Sequence, residues 1–111
     1  MAEPGTVFSV KEWSHGAMDG PPLHVHHKGD EAWHVLEGTL SFRYIDRTAH
    51  APAGTTVLVP AGIAHTFGSD GPVRYLIIAT NEIFDLIEAL HAPNAPDQPA
   101  IYRKYNSEIV E

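Results

Sequence analysis

The chain contains no cysteine, which removes disulfides, thiolate metal sites, iron–sulfur clusters and cysteine nucleophiles from consideration. Basic residues are scarce as well. Seven bases against fourteen acids give a formal net charge of -7, and Lys11, Lys28, Arg43, Arg47, Arg74, Arg103 and Lys104 are scattered along the chain. A nucleic-acid groove needs a basic stripe, because contacts to phosphate supply much of the binding energy. No nucleic-acid partner is therefore expected. No run approaches the roughly 18 apolar residues of a membrane span, and the start, MAEPGTVFSV, lacks a basic segment followed by an apolar core. A cytoplasmic protein with no membrane partner is the expectation. A Ser-centred nucleophile elbow and a G-x-G-x-x-G phosphate loop are also missing, and with them the enzyme classes they serve. Nothing calls for an organic cofactor.

What is present fits one small folded domain. The 111 residues, 43% hydrophobic and 19% charged, can bury one modest core. Short apolar or alternating runs recur (TVFSV, PLHVHH, EAWHVLEG, TLSFRYI, TTVLVP, AHTFGS, VRYLIIAT), with Gly, Pro and Asp turns between them. Too little chain separates them for the crossover helices of a parallel sheet, so an all-β sandwich or closed barrel is expected. The segment NEIFDLIEALH then places Ile83, Phe84, Ile87 and Leu90 on one stripe, which predicts an amphipathic helix at about 82–91, capped by Asn81 and covering an open edge or end. Residues 1–91 read as the domain. Residues 92–111 read as a proline-rich connector, APNAPDQPA, and a tail that docks on its own domain or on a second subunit.

The chemistry concentrates in LHVHHKGDEAWHVLEG, residues 23–38. On a strand, His24 and His26 point one way and His27 the other, and an i, i+2 spacing of about 6.6 Å lets two imidazoles lean onto one ion. Beyond the Lys28–Gly29–Asp30 turn, Glu31 opens the partner strand close to His26. His65 begins a strand after the Pro60–Gly62 turn, and a small interior makes its meeting with the first group physically cheap. Three imidazole nitrogens and a carboxylate oxygen suit Fe(II), Mn(II), Ni(II), Co(II) or Zn(II), with two positions of a six-coordinate ion left for water, substrate or oxygen. The alternative is a wet cavity in which these residues are only polar lining.

Gly20, His24, His26, Glu31 and Gly38 resemble the first motif of the cupin superfamily, and Gly54, Pro60, Gly62 and His65 resemble its second. Two departures stand out: Gly20 lies two residues closer to the histidines than the usual glycine, and Ser69 stands where asparagine often ends the second motif. The resemblance runs over residues 20–69, and the ending at 73–91 also looks like small single-domain bacterial cupins of the quercetin dioxygenase kind. It implies a double-stranded β-helix (a jelly-roll barrel) with a short C-terminal helix, and His24, His26, Glu31 and His65 as ligands of one divalent ion. It further implies a dioxygenase acting on a small enol, diol or aromatic substrate, in which Glu31 doubles as ligand and proton acceptor. Because cupins are so diverse, a metal-dependent isomerase, decarboxylase or lyase, and a non-catalytic binder of a sugar or carboxylate, stay open.

Around the site, Trp33 and Val35 share the face of Glu31, Phe67 shares that of His65, and Phe42 and Tyr75 lie on inward sets of later strands. With Val57 and Val59 they would give a mostly apolar pocket. Each also has a plain core role open to it, with the Tyr75 hydroxyl at the rim. His15, His27, His50 and His91 fall outside the ligand register and are expected on the surface. A homodimer is expected, since small sheets leave edges that need cover. Residues 7–10 and the tail are its candidate interface, and a monomer at micromolar concentration in light scattering would contradict it.

Overall fold

The computed structural model describes residue 5, residues 7–93 and residues 97–111. The first residues and the middle of the proline-rich connector, residues 94–96, lie outside the described residues, and with them the start of the domain expected over 1–91. In chain order the elements are β1 (Phe8–His15), β2 (His24–His26), β3 (Glu31–Glu37), β4 (Thr39–Arg43), β5 (Thr48–Pro52), β6 (Thr56–Val59), β7 (Thr66–Gly68), β8 (Val73–Thr80), α1 (Asn81–His91), α2 (Gln98–Lys104) and β9 (Ser107–Ile109).

The strands pair antiparallel in three sheets, ordered β1-β8-β3-β6, β2-β9 and β5-β4-β7. None of them closes, which corrects the expectation of a closed jelly-roll barrel with one terminal helix. The described residues form a cupin-like β-rich core of open sheets with two helices. Between β2 and β7 the reason is local. β2 approaches the segment before β7 through one bridge, in which His24 and His65 exchange both backbone hydrogen bonds (3.1 and 2.9 Å). The ladder would next need an N–H from residue 22, and Pro22 has none. In the other direction the His26 carbonyl is taken by the Gly62 N–H at 2.8 Å, one residue out of register. The pairing stops after a single bridge.

Inside the sheets the period-two pattern holds. On β3 Glu31, Trp33 and Val35 are buried while Ala32, His34 and Leu36 are half-buried; on β8 Val73, Tyr75, Ile77 and Ala79 face the same interior. Trp33, Val35 and the four β8 residues join Leu40, Phe42, Ala51, Val59, Ile83 and Phe84 in one core. Two motif glycines are required by their surroundings. Gly20 (φ +88°) lies against the Phe67 carbonyl and Gly38 (φ +78°) against that of Pro72, both too close for a Cβ.

Helix α1 packs Ile83, Phe84 and Leu86 inward, and its N-cap is Thr80, whose Oγ1 accepts from Ile83 N–H at 3.3 Å. The expected cap, Asn81, instead accepts from the Ser9 hydroxyl (2.6 Å) and donates to the Gly5 carbonyl (2.7 Å). In the tail, Asp97 caps α2 and Pro99 falls in its first turn, where a missing N–H costs little. Asn106, at φ +56°, turns the chain so that β9 returns along β2 with His24, Val25 and His26 opposite Ile109, Glu108 and Ser107.

Candidate metal centre

β2 presents His24 and His26 from one side, the bridge brings in His65, and β3, held between β6 and β8, delivers Glu31. All four are buried, at 5%, 5%, 1% and 4% exposure. One ligating nitrogen from each of His24, His26 and His65 lies within 4.8 Å of the others. Glu31 joins through two of them: its Oε1 is 3.2 Å from His26 Nε2 and 3.3 Å from His65 Nε2. Burying such groups in isolation would be costly, so their outer contacts matter.

Those contacts fix the tautomers. His24 Nδ1 faces the Pro22 carbonyl at 2.7 Å and His65 Nδ1 the Ile63 carbonyl at 2.9 Å. His26 Nδ1 faces Ser107 Oγ at 2.7 Å, while that hydroxyl donates to the Tyr105 carbonyl at 3.1 Å. Each partner therefore accepts, which puts a proton on each Nδ1 and leaves each Nε2 with its lone pair in the neutral ring. Burial first, and then the neighbouring His65, lower the His24 imidazole to about 4. Burial pushes the Glu31 carboxyl upward, but where His26 and His65 carry a proton on Nε2 their contacts outweigh it and hold the group at about 2. A carboxylate set against two nitrogen lone pairs is stable only with positive charge among them, supplied by extra protons or by a cation. The donor set fits a borderline divalent ion.

The proposed pocket residues are placed as follows. Trp33, Val35, Phe42 and Tyr75 are buried in the core and Phe67 is half-buried. Trp33 meets Phe42 (5.1 Å between ring centroids), Phe67 (5.3 Å) and His65 (5.6 Å), and Phe67 meets Tyr75 (6.0 Å). This aromatic cluster abuts the histidines, and Val35 lies in the same core. Trp33 Nε1 is buried without an acceptor among the described residues. Burial raises the pKa of the Tyr75 hydroxyl, which donates to His15 Nε2 at 2.9 Å. His15 is thus half-buried and partnered, whereas His27, His50 and His91 are exposed as expected. Two surface recesses, about 280 and 210 Å³, touch Glu31 in one case and Phe42 and Phe67 in the other, and neither is lined by a cluster histidine.

Sequence reasoning missed two neighbours of the site, both in the tail. Ser107 holds His26, and Tyr102, 1% exposed, lies 5.3 Å from His24 between ring centroids. Burial, with a smaller contribution from the Glu31 charge, raises the Tyr102 hydroxyl to about 12. Tyr102 was legible only as a docking residue, and nothing in the sequence marks Ser107.

An open-sheeted β core around three buried imidazoles and a carboxylate defines a candidate metal-binding protein. The cupin-domain model (Cupin_2) matches residues 9–79, and the chain belongs to that family. No curated protein matches it. Among solved structures it is similar to a Salmonella typhimurium protein ascribed to ethanolamine utilization, protein Q (29% identity, TM-score 0.57), over 66% of this chain and 57% of that one. A cupin-2 domain protein from Shewanella frigidimarina shares 26% identity (TM-score 0.58) over 69% and 72%. A sugar phosphate isomerase of the cupin superfamily from Silicibacter pomeroyi shares 25% (TM-score 0.61) over 68% and 52%. The chain thus spans little more than half of the first and the third. Among the described residues no helix is long and apolar enough to cross a membrane.

Proposed function

We propose that His24, His26, His65 and Glu31 hold one divalent ion, chosen from iron, nickel, manganese, cobalt and zinc, and that the protein is a dioxygenase for a small enol, diol or aromatic substrate. The observation that carries the metal site is the set of three Nδ1 contacts, which leave three Nε2 lone pairs free in a cluster whose ligating nitrogens lie within 4.8 Å of one another, with Glu31 beside His26 and His65. An ion bound there would supply Lewis acidity and, if redox-active, electrons. The rest is the work of the chain. Glu31, kept ionised, can take a proton from a substrate hydroxyl at Oε1. Trp33, Phe42 and Tyr75 back the site with packed apolar surface that excludes water, and half-buried Phe67 is the aromatic of this cluster nearest to solvent.

A second reading is supported by the likeness to the Silicibacter pomeroyi sugar phosphate isomerase. In that reading the four residues of this chain would serve to move a proton or break a carbon bond without oxygen, as in an isomerase, decarboxylase or lyase. The test begins with elemental analysis of untagged protein purified without chelator, with His26→Ala alongside. About one metal per chain in the wild type and almost none in the variant is the expected result. No metal in either, even after reloading, would leave the four residues as polar lining of a binding cavity. Oxygen uptake during turnover then separates the two enzymatic readings.

A further inference from the structure

The cupin match ends at residue 79, yet the buried histidines are also contacted by residues more than twenty positions later. Three sets of contacts tie the segment 98–111, the strap, to the ligand strand β2 and the residues flanking it. β9 pairs with β2 residue for residue, and the pairing is continued by His27 N–H to the Asn106 carbonyl (2.8 Å) and Val110 N–H to the Leu23 carbonyl (2.9 Å). Glu111 fastens the far end, its carboxylate accepting from Leu23 N–H (2.7 Å) and Arg43 (3.0 Å). Between them Ser107, 1% exposed, accepts the His26 Nδ1 proton, and its own proton is committed to Tyr105. Because the hydroxyl has no other proton to give, it can only accept from His26.

We infer that Ser107 is a positioning residue for the metal centre, and that through it docking of the strap and binding of the ion are linked. Docked, the strap holds His26 in the one tautomer and ring orientation in which Nε2 is free for a ligand role, and lays Tyr102 over His24. Undocked, it releases His26 Nδ1 and opens the Tyr102 side of the site. Linkage works both ways, so an ion that needs the positioned His26 must in turn hold the strap down.

This inference rests on the metal reading above, and the experiment separates the two. Zn(II) affinity is measured by competition with a chromophoric chelator for the wild type, Ser107→Ala and Glu111→Ala. Backbone hydrogen exchange of His27 and residues 107–110 is followed with and without Zn(II). Expected are a dissociation constant about 10–100-fold weaker for Ser107→Ala, a smaller loss in the same direction for Glu111→Ala, and slower strap exchange on Zn(II) loading of the wild type. Should Ser107→Ala fail to fold, Glu111→Ala, which leaves Ser107 and His26 in place, still reads the linkage. Wild-type Zn(II) affinity in the folded variants, or strap exchange indifferent to Zn(II), would overturn the inference while leaving the metal site intact. A wild type that takes up no Zn(II) overturns both.

Discussion

The two halves of the candidate site are held by different means. Glu31 and Trp33 sit on β3, which has a neighbour on each side within a four-stranded sheet; both are buried, and the Trp33 side chain packs into the main core. His24 and His26 sit on a three-residue strand whose neighbours are a single bridge to His65 and the strap. The carboxylate half is therefore built by the fold as a whole, and the imidazole half by a few long-range hydrogen bonds. Stability and ion binding should accordingly report on different residues.

The strongest way to break this comparison is Trp33→Ala. The side chain is fully buried among Phe42, Phe67 and His65, and its removal should cost about 3–5 kcal/mol. Urea denaturation of the metal-free protein checks it. A loss below about 1 kcal/mol would mean that the β3 half is not the rigid one.

Acidification sharpens the contrast. His24 titrates near pH 6.5 in the unfolded chain and at about 4 in the folded one, where burial comes first among the causes. The unfolded chain thus binds the proton sooner, so the contribution of this group is complete above pH 6.5 and is lost as pH falls toward 4. Its size is on the order of 3 kcal/mol. Glu31, lowered from 4.5 to about 2, loses its contribution in a separate window, as pH falls from 4.5 toward 2. Denaturation of metal-free protein at intervals between pH 7 and pH 3 should show the imidazole step first. A flat profile down to pH 4.5 would contradict a neutral, buried His24.

How much of this was legible in the sequence follows the same division. The alternation Glu31–Trp33–Val35 and the inward set of Leu40 and Phe42 could be read directly, because a strand with one buried face must show period two. The spacing of His24, His26 and Glu31 predicted their approach, and His65 joined them. The failure of the sheets to close was not legible. Between β2 and β7 it turns on one missing N–H at Pro22 and one carbonyl captured by Gly62, and strand patterns do not encode that level of register. Helix α2 was hidden because its proline looks like a breaker until Asp97 is known to cap the turn. Ser107 meets His26 across 81 residues, a contact that only the path of the folded tail creates.

Pairing with β9 has one more effect on the ligand strand. β2 is short and apolar between its histidines, and on the side away from His65 its backbone donors and acceptors would form an open edge. Such an edge is a template on which a strand from any other chain can grow. With β9 along it and the flanking groups of Leu23 and His27 also taken, that edge is already occupied. The tail thus keeps another chain from growing on the ligand strand itself and makes β9 the outer strand of that sheet.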